Sequence, residues 1–273
     1  LAAPSTLPQA RAALDAGAHV VSVADAVVEV QGLLAMDPEA RRAARHVVVG
    51  SGFSPGLSCL LARHAATHLQ EVDEVRVART GTGGPACALG LRRAMSEPAL
   101  DRRDGAWLRR RAGSGRELCW FPDPVGGLDC YRAGLPEPLL LSSSFPDASR
   151  LSVRVGSPRW QRVARRLPRL GSPRPEGTMG AVRVEVRGSR GQAKDAVVLG
   201  VIDRPAVAAG TVAAVAAVWA ATGRLAHGGA AGLAELVPDP VPFLRELAER
   251  GVRAAAFDPG AEGRRDPTDR VSV

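Results

Sequence analysis

Lysine is nearly missing from this sequence. Of 36 basic residues only Lys194 is a lysine, and the other 35 are arginines. With 30 glycines, 21 prolines and abundant alanine, this bias reflects the codon usage of a GC-rich genome. The formal net charge of +8 therefore carries no argument for a nucleic-acid partner. Cysteine is sparse: Cys59, Cys87, Cys119 and Cys130 form no Cys-x-x-Cys pair and no even ladder. That spacing excludes a zinc ribbon or a secreted disulfide framework and leads us to expect a reducing, cytoplasmic setting. No apolar run reaches membrane-spanning length, and the longest, residues 206–221, stops about a turn short. Pro205 and Gly223 bracket it as a helix start and stop, so a helix buried against a sheet is expected, with no membrane contact. Gly-x-Ser-x-Gly, Walker-loop and metalloprotease-helix motifs are absent, which leaves hydrolase and kinase readings without a residue to rest on.

What is present is the material of a globular protein. The 273 residues are 45% hydrophobic and 23% charged, enough for one large domain or two modest ones with a full core. Helical periodicity over residues 7–16 ends at Gly17, and residues 19–24 then form a short β-rich run. A second helical stretch, 28–44, is broken at Asp37-Pro38 and leads to a buried strand over 46–49. Val47, Val48 and Val49 are apolar at successive positions, as a strand covered on both faces requires. A glycine turn and a helix through residue 69 follow. Helix, strand, helix, strand, helix at this spacing predicts adjacent parallel strands. Beyond residue 71 the pattern changes to a strand at 75–78, a helix at 85–95 and β-like runs at 106–108, 117–121, 139–142, 151–155, 182–186 and 196–202. Gly188 to Gly191 reads as a hairpin turn, and 227–232 as a loose glycine-rich stretch. A last helix at 242–250 and a strand at 254–257 precede a polar segment, 258–273, with little to bury.

Two glycine turns compete for attention. Gly50-Ser-Gly-Phe-Ser-Pro-Gly56 joins a strand to a helix, where converging N–H groups can hold an anion. Read as a phosphate loop, it would set Arg79, at the end of the next strand, near a ribose phosphate. Its spacing departs from Gly-x-Gly-x-x-Gly, and Pro55 removes a donor. Gly81-Thr-Gly-Gly-Pro-Ala86 also opens a helix but lacks the acidic residue that a ribose contact needs, so a loop facing the substrate is expected. His64 and His68 share a helix face without the further ligands of a metal site, and no metal is expected. Arginines crowd residues 150–174 without an acid among them, which on a helix such as 159–167 reads as a solvated face. Asp123, Asp129 and Tyr131, the sole tyrosine, lie close together in sequence; Asp129 and Tyr131 are the candidates for proton transfer.

The segment from Gly50 to Ala62 resembles the point where saccharopine dehydrogenase-like proteins leave their nucleotide domain. Other segments resemble that family in the same order. They are Ala16-Gly-Ala-His-Val-Val-Ser-Val-Ala-Asp25 before it, then Val72-Asp-Glu-Val-Arg-Val77, Gly81-Thr-Gly-Gly84, Phe121-Pro-Asp-Pro-Val-Gly126 and the closing helices of 223–250. The resemblance implies an NAD(P)-dependent oxidoreductase of class α/β plus α+β. The C-terminal part of a Rossmann-type parallel sheet (1–70) would precede a mostly antiparallel α+β catalytic and dimerisation domain (71–225), closing helices that pack back on the first part (226–257) and a disordered tail (258–273).

The family's own Gly-x-Gly-x-x-Gly strand has no counterpart here. The resemblance therefore implies an N-terminally truncated fragment whose phosphate loop lies upstream of Leu1 and whose hold on NAD or NADP is weak. Ala3 and Pro4 then fall beside the nicotinamide, and Asp25, Gly50, Gly52, Phe53, Pro55 and Gly56 line its substrate end. An amino-acid-like or carbonyl/imine small molecule would be the substrate, and a homodimer the assembly. Two other readings stay open: a non-catalytic ligand- or partner-binding protein on this scaffold, and a short dinucleotide binder using Gly50–Gly56.

Overall fold

The computed structural model describes residues 5–156, 177–252 and 254–257. Two sheets organise the chain. The smaller holds β1 (Val20–Ser22), β2 (His46–Val49) and β11 (Gly229–Gly232), in the order β1-β2-β11. All its pairs are parallel, with Val20 opposite Val47 and Ala230 opposite Val47 on the other side. The parallel β1–β2 pair expected from the helical crossover is therefore present, and α2 (Val27–Leu34) and α3 (Asp37–Arg42) make that crossover after α1 (Leu7–Asp15). Val47, Val48 and Val49 are fully buried, each contributing on the order of 1.5–3 kcal/mol of apolar burial.

β11 corrects the reading of 227–232 as a loose stretch. Gly-Ala-Ala-Gly carries no β-branched residue and so no strand signal, yet all four residues are buried. Small size is what admits them. A Cβ on Gly229 would fall 2.3 Å from Asp37 Oδ1, the atom that accepts the Ala230 N–H at 2.9 Å.

The larger sheet runs β12 (Ala254–Phe257), β10 (Ala193–Asp203), β9 (Gly180–Arg190), β3 (Glu71–Thr80), β8 (Arg150–Gly156), β4 (Ala99–Arg103), β5 (Ala106–Arg110). β7 (Gly127–Arg132) pairs with the far end of β8 and carries β6 (Glu117–Trp120). Only β3 and β8 are parallel; every other pair is antiparallel, and β9 and β10 form the expected hairpin. Period-2 alternation sorts its faces. Val75 and Val77 align with Val153, Val184 and Val186 on the buried face, against which α4 (Leu57–Ala66) packs, while Arg76 and Glu185 share the other.

One helix differs from expectation, and another is present where it was expected. Residues 139–142 are not a strand: α6 (Glu137–Ser142) starts between Pro136 and Pro138, whose fixed φ suits a first helical turn, and buries Leu140 and Leu141. The alanine-rich helix, α7 (Pro205–Ala221), is buried on one side only. Ala208, Val212, Val215 and Trp219 face the protein, and Val207 and Val218 face out. Trp219 Nε1 donates to Glu246 at 2.7 Å on α8 (Pro240–Glu249), and its ring meets Phe243 edge-on. No helix among the described residues is long and apolar enough to cross a membrane. The arginine-rich helix expected at 159–167, the tail 258–273, Ala3 and Pro4 lie outside the described residues.

Candidate functional site

The two glycine turns spend their backbone groups differently. In the first, Ser51 N–H goes to the Ser22 carbonyl at 2.8 Å and Gly52 N–H to the Pro55 carbonyl at 2.9 Å. The first amides of α4 are also taken: Leu57 donates to Gly52, Ser58 to Phe53, and Cys59 and Leu60 to Gly56. Residues 46–62 are buried throughout. The helix N-terminus is thus capped by its own loop, which overturns the reading of Gly50–Gly56 as a phosphate loop, since that needs donors aimed at a ligand. Gly50 and Gly56 are glycines for packing reasons. A Cβ on Gly50 would lie 2.6 Å from Leu140 Cδ1; one on Gly56, at φ +132°, would lie 2.3 Å from the Gly52 carbonyl oxygen.

The second turn joins β3 to α5 (Pro85–Ala94) and faces open space. Gly81, at φ +85°, lets β3 pass against Gly180, where a Cβ would approach the Gly180 Cα to 2.3 Å. Gly83 sits against the start of α7, 3.1 Å from Ala206 N in the same sense.

Between these turns lies a cleft of about 1000 Å³ at the carboxyl ends of β1 and β2, the edge where α/β sheets hold ligands. The chain after β1 forms one wall, α5 the opposite one, and the start of α7 closes an end. Its surface is largely apolar, with Val23, Leu89 and Ala209 among the lining, and two of its charged groups, Asp25 and Arg79, lie together next to Ser54.

Arg79, 5% exposed, closes the buried face of β3, on the side of Val75 and Val77. Its Nη1 donates to the Ser54 carbonyl, and its Nη2 lies 3.9 Å from Asp25 Oδ2. Ser54 Oγ donates to Glu137 Oε1 at 2.5 Å. Glu137 is fully buried, and its Oε2 has no hydrogen-bond partner among the described residues. Burial pushes its carboxyl above the ordinary carboxylate range, against the pull of the Arg79 charge and the Ser54 bond. Burial, with Glu137 nearby, also pushes the Cys59 thiol up to about 12, so it stays protonated and unreactive.

Of the residues singled out from sequence, Asp25, Gly52 and Phe53 line this cleft. Gly50, Pro55 and Gly56 do not reach it; they hold the turn that presents Gly52 to Ser54. Gly81, Gly83 and Ala86 face it, as expected of the second turn. Asp129 and Tyr131 are not brought to it. Both belong to β7 at the outer side of the large sheet, where Asp129 accepts from Arg116 Nε at 2.9 Å and Tyr131 is buried opposite Val155.

Ser54, Arg79 and Glu137 form a polar centre; the sequence reading considered Arg79 only as a contact to a ribose phosphate and passed over Ser54 and Glu137. One signal was available. Strand alternation sets Arg79 on the face of Val75 and Val77, and a charge at a core-facing position needs a reason. Glu137 carried no such mark, because the leucines after it read as a strand.

No protein-family model and no curated protein matches the chain. Solved structures do. Saccharopine dehydrogenase (L-Glu forming) from Saccharomyces cerevisiae superposes with a TM-score of 0.65 at 11% identity, covering 92% of this chain and 82% of that one. Homospermidine synthase from Legionella pneumophila, solved in complex with NAD, superposes with a TM-score of 0.67 at 13% identity, covering 99% and 77%. The chain has the fold of saccharopine dehydrogenase and homospermidine synthase, a Rossmann-like parallel sheet followed by an α+β sheet domain.

Proposed function

We propose that this protein is an oxidoreductase that transfers a hydride between NAD or NADP and an amino-acid-like or carbonyl/imine substrate. The observation that carries the reading is the cleft at the carboxyl edge of the parallel sheet, largely apolar on its walls with Asp25 and Arg79 side by side in it. The homospermidine synthase of the same fold, solved with NAD, supports it. The described residues fit the nicotinamide end of such a cofactor: the volume suits it, and Gly52, Gly81 and Gly83 carry no side chain into that space. They offer no pyrophosphate loop at 50–56, where the Ser51 and Gly52 amides and the first amides of α4 are already bonded within the protein.

When bound, a nicotinamide supplies or takes the hydride. The chain's part is to position the reacting carbon and keep water away. Phe53, Ala209 and Asp25 line the cleft, Asp25 taking the place between cofactor and substrate in this reading, and Ala3 and Pro4 are assigned to nicotinamide binding by resemblance alone. We extend the reading to a cytoplasmic homodimer joined through the large sheet between residues 139 and 202; sedimentation equilibrium giving a monomer at high micromolar concentration would remove that part.

Reduced nicotinamide mononucleotide tests the site without needing a pyrophosphate anchor. It is expected to bind with a change in nicotinamide fluorescence, and Ala209→Trp, which fills the cleft from α7, to weaken it at least about tenfold. Absence of binding by this probe, NADH and NADPH alike at millimolar concentration would overturn the reading.

A further inference from the structure

Arg79 is a buried cation whose hydrogen-bonding capacity is largely unspent. A guanidinium has five N–H donors in a planar fork. Among the described residues one of them has a partner, the Ser54 carbonyl. Asp25 is the nearest carboxylate, yet at 3.9 Å it stops short of a charge-assisted bond, which needs about 2.7–2.9 Å. Glu137 does not take its place, since its bonded oxygen is given to Ser54 and no ion pair joins it to Arg79 among the described residues. Burying an arginine without bonds is costly, and the cost is removed when something in the cleft completes the fork.

Asp25 is in the same condition. Its side chain is 32% exposed, lines the cleft and accepts no hydrogen bond from the described residues. A cation and an anion thus stand side by side on one wall, near enough to balance each other and too far apart to bond. An α-amino acid carries the complementary pair, a carboxylate and a nitrogen one carbon apart.

We propose that Arg79 is the receptor for the carboxylate of an α-amino or α-imino acid, with Asp25 beside it receiving the nitrogen. The inference deepens the oxidoreductase reading and rests on it for the cleft being the substrate end. Ser54 and Glu137 are positioning residues. The Ser54 carbonyl fixes one arm of the fork, and the hydroxyl of the same residue is tied to Glu137 behind it. Because burial favours the protonated form of Glu137, it leaves the charge of Arg79 available to a ligand.

The test needs no cofactor and begins with the unaltered protein. L-alanine, L-norvaline and L-glutamate are titrated by calorimetry alongside their α-carboxamides and matching 2-oxo acids. At least one amino acid is expected to bind in the millimolar range or tighter, with its amide and its oxo acid weaker by about tenfold or more. Arg79→Lys, checked for an unchanged unfolding midpoint, is expected to lose the preference for acid over amide, because a lysine cannot form the bidentate pair. Asp25→Asn is expected to lose the preference for amine over oxo acid. Equal binding of acid and amide, or binding of neither, overturns the proposal. So does an effect of Arg79→Lys confined to NADPH relative to NADH, which would assign Arg79 to a cofactor phosphate. Reduced-nicotinamide binding is measured separately on the same protein. If it fails while acid and amide are still distinguished, the oxidoreductase reading falls and the carboxylate receptor stands.

Discussion

The two ends of the parallel sheet both gather ionisable side chains, and they treat them in opposite ways. At the amino end His19, His46 and His227 stand at the starts of β1, β2 and β11. The His46 amide donates to His19 Nδ1 at 3.1 Å, and the two rings stack 5.1 Å apart. Neighbouring strand ends are tied in the same manner, Gly229 N–H to the Arg45 carbonyl and Ala230 N–H to Asp37, each at 2.9 Å. At the carboxyl end Asp25 and Arg79 face a cleft and, among the described residues, leave most of their bonding capacity open. What separates a structural cluster from a functional one is therefore where its donors and acceptors go.

The largest effect should come from the turn that builds the carboxyl end. Gly56→Ala places a methyl 2.3 Å from the Gly52 carbonyl at φ +132°, and we expect a loss of about 4 kcal/mol, or about 10 °C in thermal unfolding. Gly17→Ala at the other end meets only Arg45, 3.9 Å away, and should cost about 1 kcal/mol of backbone strain. Equal losses would show that crowding does not distinguish the two ends. Next comes Glu137→Ala, which leaves a cavity and strips the Ser54 hydroxyl of its acceptor. Urea denaturation should report about 3 kcal/mol, against about 1 kcal/mol or less for Glu137→Gln, whose amide oxygen can still accept.

The smallest effect, and the sharpest contrast, is in pH dependence. Burial holds His46 and His19 below their ordinary 6.5, with their neighbours His19 and Arg45 adding to the effect. Between those values the unfolded chain binds protons that the folded one does not. The histidines' contribution is thus complete above about pH 6.5 and is lost as pH falls. Glu137, held above its ordinary 4.5, has the opposite sign: its contribution is complete below 4.5 and is lost as pH rises through its folded value. Stability measured across pH should keep its acid limb and lose its alkaline-going slope in Glu137→Gln, while His46→Gln does the reverse. The same limb lost in both variants would refute the assignment.

Much of the fold was legible because it is local. The valines of β2, the glycine stop of α1, the proline starts of α5 and α8, and the β9–β10 turn follow from periodicity and backbone preference alone. Two features were not. β11 is a strand because β2 has a free edge and Asp37 a free oxygen beside it, not because Gly-Ala-Ala-Gly favours extension. The leucines of α6 are apolar in a pattern too short to separate helix from strand, and the two prolines decided it.

The site divides along the same line. Sequence by itself led to the carboxyl edge of the sheet, where a strand, a glycine turn and a helix meet, and the resemblance it carries led to Asp25, Gly52 and Phe53, which line the cleft there. It could not tell which of two glycine turns keeps its amides for itself, since hydrogen-bond partners 3 or 30 residues away look alike in a string of letters. Nor could it join Asp25, Ser54, Arg79 and Glu137, which come from four separate segments. Their meeting was decided by β3 entering the second sheet and α6 packing behind the first turn, contacts that exist only once the chain has closed on itself.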